Sequence, residues 1–153
     1  MSAAKPYTAT EVAIANPIIR VMSRLNTWAY RLTGGRLGGT FLRGAPVMLL
    51  TVVGRKSGRQ LTVPLLYLQD GEHVVTVASK GGMDQHPLWY LNLVANPEVD
   101  VQIGTAVRPM RAHTADDAER ATYWPKLVAM YRDFADYQAR TARKIPIVVL
   151  TPR

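Results

Sequence analysis

Between Pro46 and Ser79 three apolar runs stand almost back to back: PVMLLTVV (46–53), QLTVPLLYLQ (60–69) and HVVTVAS (73–79). They are rich in β-branched residues and are separated by glycine-bearing turns, the signature of strands in a meander. Asp70-Gly71 is a dipeptide that favours tight hairpins. The middle of the chain is thereby committed to antiparallel sheet, and everything else must pack around it. VDVQIG (99–104) and AVRPMRAHT (106–114) read as two further strands. Pro109 cannot donate to a ladder, which places the second of them at an edge or a bulge. IPIVVL (145–150) is the last, giving about six strands.

Helical signals lie at the start, middle and end. Asn16-Pro17 pairs a capping side chain with a proline suited to a first helical position. Ile18, Val21, Met22, Leu25, Trp28, Ala29 and Leu32 then recur at helical spacing, with Arg20, Arg24 and Arg31 largely off that stripe. Two readings of this amphipathic helix stand: its apolar face packs on the domain, or it meets an anionic membrane or covers a site. GGRLGGT (34–40) ends it in a glycine loop. HPLWYLNLVANP (86–97) reads as a short helix with Pro87 in its first turn. Thr114 and Asp117 resemble a capping box for a helix to about Tyr131, which Pro125 is expected to break or kink. DFADYQARTAR (133–143) is helical again. These elements suggest a mainly antiparallel β-barrel with helices around it, in one domain: residues 1–44 supply helix and glycine loop, and residues 45–153 the barrel.

The chain of 153 residues carries 19 Lys and Arg against 11 Asp and Glu, a net charge of +8. That balance points to an anionic partner. Cysteine is absent, which excludes disulfides, thiolate catalysis and cysteine-held metals. His73, His86 and His113 are isolated from one another, so no metal-ligand spacing emerges. The segment Gly34 to Thr40 has P-loop glycines but no lysine before the threonine, and no dinucleotide fingerprint is present. The N-terminus lacks the apolar core of a signal peptide, and no run is long enough to span a bilayer. A cytoplasmic protein is expected.

What remains is a constellation. The turn GRKSGR sets Arg55, Lys56 and Arg59 around Ser57 and Gly58, equipment for phosphate or carboxylate oxygens. SKGG adds the hydroxyl of Ser79, the cation of Lys80, and Gly81 and Gly82, which let backbone approach a ligand closely. Trp89 and Tyr90 follow on one helix, and Tyr131, Phe134 and Tyr137 form an aromatic ridge. Cations at one end and aromatic planes at the other suit a ligand with an anionic tail and a flat ring. A solvated turn and aromatic core residues explain the same features one at a time.

TVVGRKSGRQLTVPLLYLQDG, VASKGGMDQHPLWYLNLVANPEVDVQI and YWPKLVAMYRDFADYQARTARKIPIVVL resemble signature segments of the deazaflavin-dependent nitroreductase and quinone reductase family. The stretch from Met22 to Phe41 is similar to its mycobacterial branch. The resemblance implies a split β-barrel of the flavin-reductase type, mainly β with helices, binding coenzyme F420, a deazaflavin with a phospholactyl, oligoglutamate tail. It implies that Arg55, Lys56 and Arg59, with the amides of Ser57 and Gly58, hold that tail. Pro64, Leu65, Ala78, Ser79, Lys80 and Gly81 would border ring and ribityl chain, with Trp89 and Asn92 as the far wall. Ser79, Tyr131 and Tyr137 would orient and polarise a hydrophobic acceptor such as a quinone, enone or nitroaromatic, the reduced cofactor F420H2 supplying hydride.

Departures from the family pattern matter. Leu66 then Tyr67 follow Pro64-Leu65 where a relative carries tyrosine one residue earlier, which turns the phenol to the other strand face. Phe134 stands where a tyrosine is common, and Leu61 where a basic residue occurs, with Arg59 compensating. A less polar site favours quinone or enone acceptors over nitroimidazoles. Two other readings stand beside this one. In the first, a related split barrel binds FMN or haem. In the second, a basic barrel binds single-stranded nucleic acid, although the aromatics fall on helices rather than on a strand face. The expected partners are the small acceptor and, through residues 17–32, the inner face of an anionic membrane, with no nucleic acid. The chain is expected to be a monomer or weak dimer.

Overall fold

The structure is a computed structural model that describes residues 5–41 and 44–153. Helix α1 spans Ala9–Thr33. It begins well before Asn16-Pro17, because Thr8 and Glu11 form a reciprocal capping box: the Thr8 hydroxyl accepts from the Glu11 amide, and the Glu11 carboxylate from the Thr8 amide at 2.7 Å. Pro17 lies inside the helix, at the expense of one backbone bond. Gly34, left-handed at φ 61°, ends it.

Tyr30 is the main anchor of α1. It is buried against Val47, Leu49 and Leu66, and its hydroxyl accepts from the Gly104 amide at 2.8 Å. The apolar stripe faces solvent instead: Ile18, Val21, Met22, Leu25, Trp28 and Leu32 are all 55–65% exposed. Packing of that stripe on the domain, one of the two readings of the sequence, does not occur.

Seven strands form one antiparallel sheet in the order β2-β1-β5-β6-β7-β4-β3. They are β1 Val47–Val53, β2 Gln60–Leu66, β3 Leu68–Asp70, β4 His73–Val77, β5 Glu98–Ile103, β6 Ala106–Thr114 and β7 Ile147–Pro152. The single strand expected over 60–69 is two, broken at Tyr67, which raises the count from six to seven. Its first half pairs with β1 and its second with β4. The two ends of the sheet are therefore consecutive in the chain, and the barrel is split along that line. The Thr76 hydroxyl of β4 donates across it to the Leu66 carbonyl of β2 at 2.7 Å, while the Tyr67 amide, bonded to the Pro46 carbonyl at 3.2 Å, extends the β1–β2 ladder by one residue.

Pro109 does not mark an edge strand, since β6 runs between β5 and β7. The β6–β7 register starts at Met110↔Pro152, so the proline lies just past the paired stretch. Its carbonyl accepts from the Arg153 amide at the end of the chain. A missing donor there costs no ladder bond.

Helix α2 covers Leu88–Ala95, α3 Asp117–Met130 and α4 Asp133–Ala139. Asp116, not Thr114, caps α3, accepting from the Glu119 amide at 2.8 Å. Pro125 is carried within α3, and the break comes at Tyr131, which adopts an extended φ of −145°. The last strand begins at Ile147, two residues later than expected, and runs on to Pro152.

Period-2 alternation sorts the strands into two cores. Val74, Val148, Leu150, Met48, Leu50 and Val101 fill the inner face, closed over by Trp89 and Leu93 of α2. Val75, Val77, Ile147 and Val149 face outward under Tyr123, Leu127, Tyr131 and Phe134. The neighbours Leu66 and Tyr67 divide the same way, the leucine beside Tyr30 and the tyrosine on the inner core.

Candidate functional site

The basic turn is a built loop. The Gly54 amide donates to the Arg59 carbonyl at 2.8 Å, the Gly58 amide to the Gly54 carbonyl at 2.9 Å, and the Arg59 amide to the Ser57 hydroxyl at 3.2 Å. Gly58 is left-handed at φ 69°, with open space where a side chain would stand. The turn is anchored by Asn92 of α2, a buried side chain whose Oδ1 accepts from the Arg55 amide at 3.1 Å and from its guanidinium at 3.0 Å. Among the described residues no carboxylate pairs with Arg55, Lys56 or Arg59. All three are exposed. Positive charge gathered without a carboxylate partner among the described residues, on an ordered loop with accessible backbone, suits phosphate or carboxylate oxygens.

The second loop, Ser79 to Gly82, is held by a residue that sequence reasoning did not single out. The Arg143 guanidinium donates to the carbonyls of Met83 at 2.7 Å, Ala78 at 3.3 Å and Ser79 at 2.7 Å, and lies 3.2 Å from His86 Nδ1. Lys80 sits at φ 45°, a left-handed conformation that costs a non-glycine residue on the order of 1 kcal/mol, and this clamp keeps it there. Burial, and then Arg143 and Arg20, hold the Lys80 amine below the usual lysine range. Burial and then Arg143 likewise push the His86 imidazole down. Gly82 packs so closely on α4 that a Cβ would lie 2.5 Å from the Tyr137 carbonyl oxygen. In the sequence Arg143 was one cation in a run with Lys144, and nothing local separates a clamp from a solvated charge.

The aromatic ridge is real, although its members straddle a break: Tyr131 ends α3, whereas Phe134 and Tyr137 lie in α4. Their rings pack edge-on or tilted at 5.1 to 6.3 Å, and the hydroxyls of Tyr131 and Tyr137 are 3.3 Å apart. Burial, then the bond to Tyr137, raises the Tyr131 phenol far above the ordinary tyrosine value, so it stays protonated. Phe41 adds a ring 5.9 Å from Tyr131.

Two of the expected groupings are contiguous. The turn of Arg55, Lys56, Ser57, Gly58 and Arg59 is tied to Asn92 through Arg55, and the loop of Ala78, Ser79, Lys80 and Gly81 to Arg143 through the Ala78 and Ser79 carbonyls and, at Gly82, to the Tyr137 backbone. Helix α2 links them, since Asn92 holds the first loop and His86, just before α2, meets the clamp of the second. Leu65 reaches the inner core beside Trp89, while Pro64 pairs with Leu49 on the end strand β2. Trp89 is 8% exposed and lies edge-on to Tyr90 at 6.3 Å, so it offers a buried wall rather than an open ring face. The described residues contain no cluster of His, Asp or Glu able to hold a metal.

A sequence model of the F420H(2)-dependent quinone reductase family matches residues 22–152. The Mycobacterium tuberculosis protein Rv3178, which bears that family's name, is 45% identical over 118 residues, covering 77% of this chain and 99% of its own. A solved F420-H2 dependent reductase (FDR-A) is 40% identical, with a TM-score of 0.65 over 69% of this chain and 93% of its own. A second solved structure, described as a domain-swapped dimer, is 37% identical with a TM-score of 0.67, covering 88% of this chain and 99% of its own. With its split barrel, its anchored cationic turn and these relatives, the chain belongs to the F420H(2)-dependent quinone reductase family.

Proposed function

We propose that the protein transfers a hydride from reduced coenzyme F420 to a hydrophobic acceptor of the quinone class. The observation that carries this reading is the ordered turn of Arg55, Lys56 and Arg59, fixed by Asn92 and paired with no carboxylate among the described residues. The bound cofactor supplies the hydride through its deazaflavin ring. The chain's own residues bind, orient and exclude water. Arg55, Lys56 and Arg59 hold the tail's phosphate and carboxylates, with the amides of Ser57 and Gly58 as donors. Leu65, Pro64, Ala78, Ser79, Lys80 and Gly81 border the ring, and Trp89 backs it. Ser79, Tyr131 and Tyr137 donate to the acceptor's carbonyl oxygens as charge develops there. Tyr131, held protonated, keeps a hydroxyl hydrogen to donate.

The exposed stripe of α1 supports a finer reading, that the helix rests on the inner face of an anionic membrane where lipid-soluble quinones lie. No helix among the described residues is long and apolar enough to cross a membrane. The stripe would equally serve a second copy, as the domain-swapped relative suggests. Flotation with phosphatidylglycerol vesicles separates the two. Wild type that floats, and Met22→Glu/Leu25→Glu that does not, supports the membrane. A concentration-dependent dimer lost in the same variant, without flotation, supports the second copy.

The reading as a whole is tested by fluorescence titration with oxidised F420 and, separately, FMN at two salt concentrations. F420 binding that weakens with salt and in Arg55→Ala/Lys56→Ala is expected. FMN binding without F420 binding would leave only the fold.

A further inference from the structure

His86 stands where three parts of the candidate site meet: it follows the second loop, comes just before α2, and faces Arg143. The Arg143 guanidinium distributes its hydrogens over the Met83, Ala78 and Ser79 carbonyls and His86 Nδ1, the last at 3.2 Å. A guanidinium carries five N–H donors and no acceptor, so Nδ1 joins this set only when it is bare. The neutral ring is therefore fixed as the tautomer protonated at Nε2. One arginine nitrogen, Nη1, serves both His86 and the Ala78 carbonyl, and the Ala78 bond, at 3.3 Å, is the longest of the four.

Protonation removes that acceptor. In the imidazolium both nitrogens carry hydrogen, so no rotation of the ring offers a lone pair to Arg143. The ring is also held from the side. It lies 5.0 Å from the Tyr90 ring of α2, and the Tyr90 hydroxyl is 2.9 Å from that of Thr114 on β6. The charged groups nearby are Arg143, the Lys80 amine on which Arg143 acts, and Asp84, whose carboxylate accepts from the Thr141 hydroxyl at 2.7 Å and acts on Arg143. Among the described residues no carboxylate pairs with His86, so a charged ring meets a guanidinium without relief. Burial and then Arg143 both oppose that charge.

We propose that His86 is a positioning residue for cofactor binding: only its neutral ring lets Arg143 hold the second loop, so acid loosens that loop and weakens the cofactor. It rests on the F420 reading above, in which the loop borders the deazaflavin ring. The Ala78 bond shares its nitrogen with His86 and goes first. Lys80 then loses the support for its left-handed backbone at φ 45°.

The test compares the full chain with His86→Asn and His86→Leu. Asparagine Oδ1 stands where Nδ1 stood and accepts without ever becoming charged, whereas leucine offers no acceptor. Affinity for oxidised F420 is read by fluorescence titration from about pH 5 to about pH 8. The ligand's own titration is common to all three proteins, so each is compared with the others at the same pH. On the acid side wild type should bind about fivefold to tenfold more weakly than His86→Asn, and on the alkaline side the two should match. His86→Leu should be weaker than His86→Asn by a similar factor at every pH. Nitrogen-15 NMR of the imidazoles in the free protein should show His86 with Nδ1 bare and Nε2 protonated at neutral pH. His73, which opens β4, and His113, paired with Glu119 at 2.8 Å, are the internal references. A neutral ring protonated at Nδ1, or one pH course for wild type and His86→Asn, overturns the proposal and leaves the proposed function standing. So does His86→Leu binding as tightly as wild type on the alkaline side. If F420 fails to bind wild type at every pH, the proposed function falls and the role of His86 falls with it.

Discussion

Asn92 Oδ1 accepts two hydrogen bonds from one residue, the backbone amide and the guanidinium of Arg55. A carboxamide on α2 thereby fixes both the path of the basic turn and the direction of its first cation. Asn92→Ala removes both bonds to the exposed Arg55 and should cost about 1 kcal/mol in chemical denaturation, with weaker F420 binding. Asn92→Asp is the sharper test. It preserves the geometry but pairs Arg55 with a protein carboxylate, so binding should fall further than folding stability does, read by titration beside melting temperature.

Arg143→Lys keeps a charge but cannot reach four acceptors at once. Lys80 should then relax from its left-handed conformation, raising KM for the cofactor and lowering kcat. Hydrogen exchange should rise over residues 79–83 and stay unchanged in the inner-core strands. Equal loss of protection throughout would assign Arg143 a general structural role instead.

The two glycines of the second loop should differ. A Cβ on Gly82 would lie 2.5 Å from the Tyr137 carbonyl oxygen and 2.8 Å from its Cα, both backbone atoms, at φ +82°. On Gly81 the nearest atom is the Tyr7 hydroxyl at 3.8 Å, and only the φ of 62° opposes substitution. Gly82→Ala should cost on the order of 2–3 kcal/mol or displace α4. Gly81→Ala should cost about 1 kcal/mol, and thermal melts of the pair measure the gap.

His86 gives a pH prediction with a definite sign. Its folded value lies below the ordinary 6.5, because burial and Arg143 oppose a second cation there. Between the depressed and the ordinary value the unfolded chain binds more protons, so stability rises with pH across that window. The contribution is fully present above 6.5 and is lost as pH falls through the folded value. His86→Gln should flatten this slope in denaturation series around that window.

Tyr137→Phe removes a hydroxyl at the Tyr131 pair and leaves the ring packing. We expect kcat for a quinone acceptor to fall by about tenfold to a hundredfold with KM little changed. Equal loss in both would place the hydroxyl in binding.

β1, β4 and β7 were legible because both their faces meet a core, which leaves continuous apolar runs, and β5 because one face does, which leaves Val99 and Val101 alternating with polar residues. The pair GRKSGR and SKGG was legible because glycines and cations concentrate there beyond what turns require. Helix starts were not: Asp116 outcompeted Thr114, and Thr8 outcompeted Asn16, since several adjacent side chains can cap and tertiary packing chooses among them. Prolines misled for a related reason. Pro17 and Pro125 each cost one helical bond that the rest of the helix outweighs, and Pro109 sits where its missing donor faces no strand. Arg143 was hidden because its acceptors are main-chain carbonyls some sixty residues away, which no local pattern encodes.

The split at Tyr67 sets how this barrel yields. Elsewhere adjacent strands are zipped by ladders, whereas the ends of the sheet are held by covalent continuity and by the Thr76 hydroxyl on the Leu66 carbonyl. Widening the barrel along that line breaks few bonds and leaves both flanking hairpins whole. An opening of that kind would turn about Tyr67 and would carry the wall bearing Pro64 and Leu65 with β1, as a door swings with its frame, without unravelling a ladder.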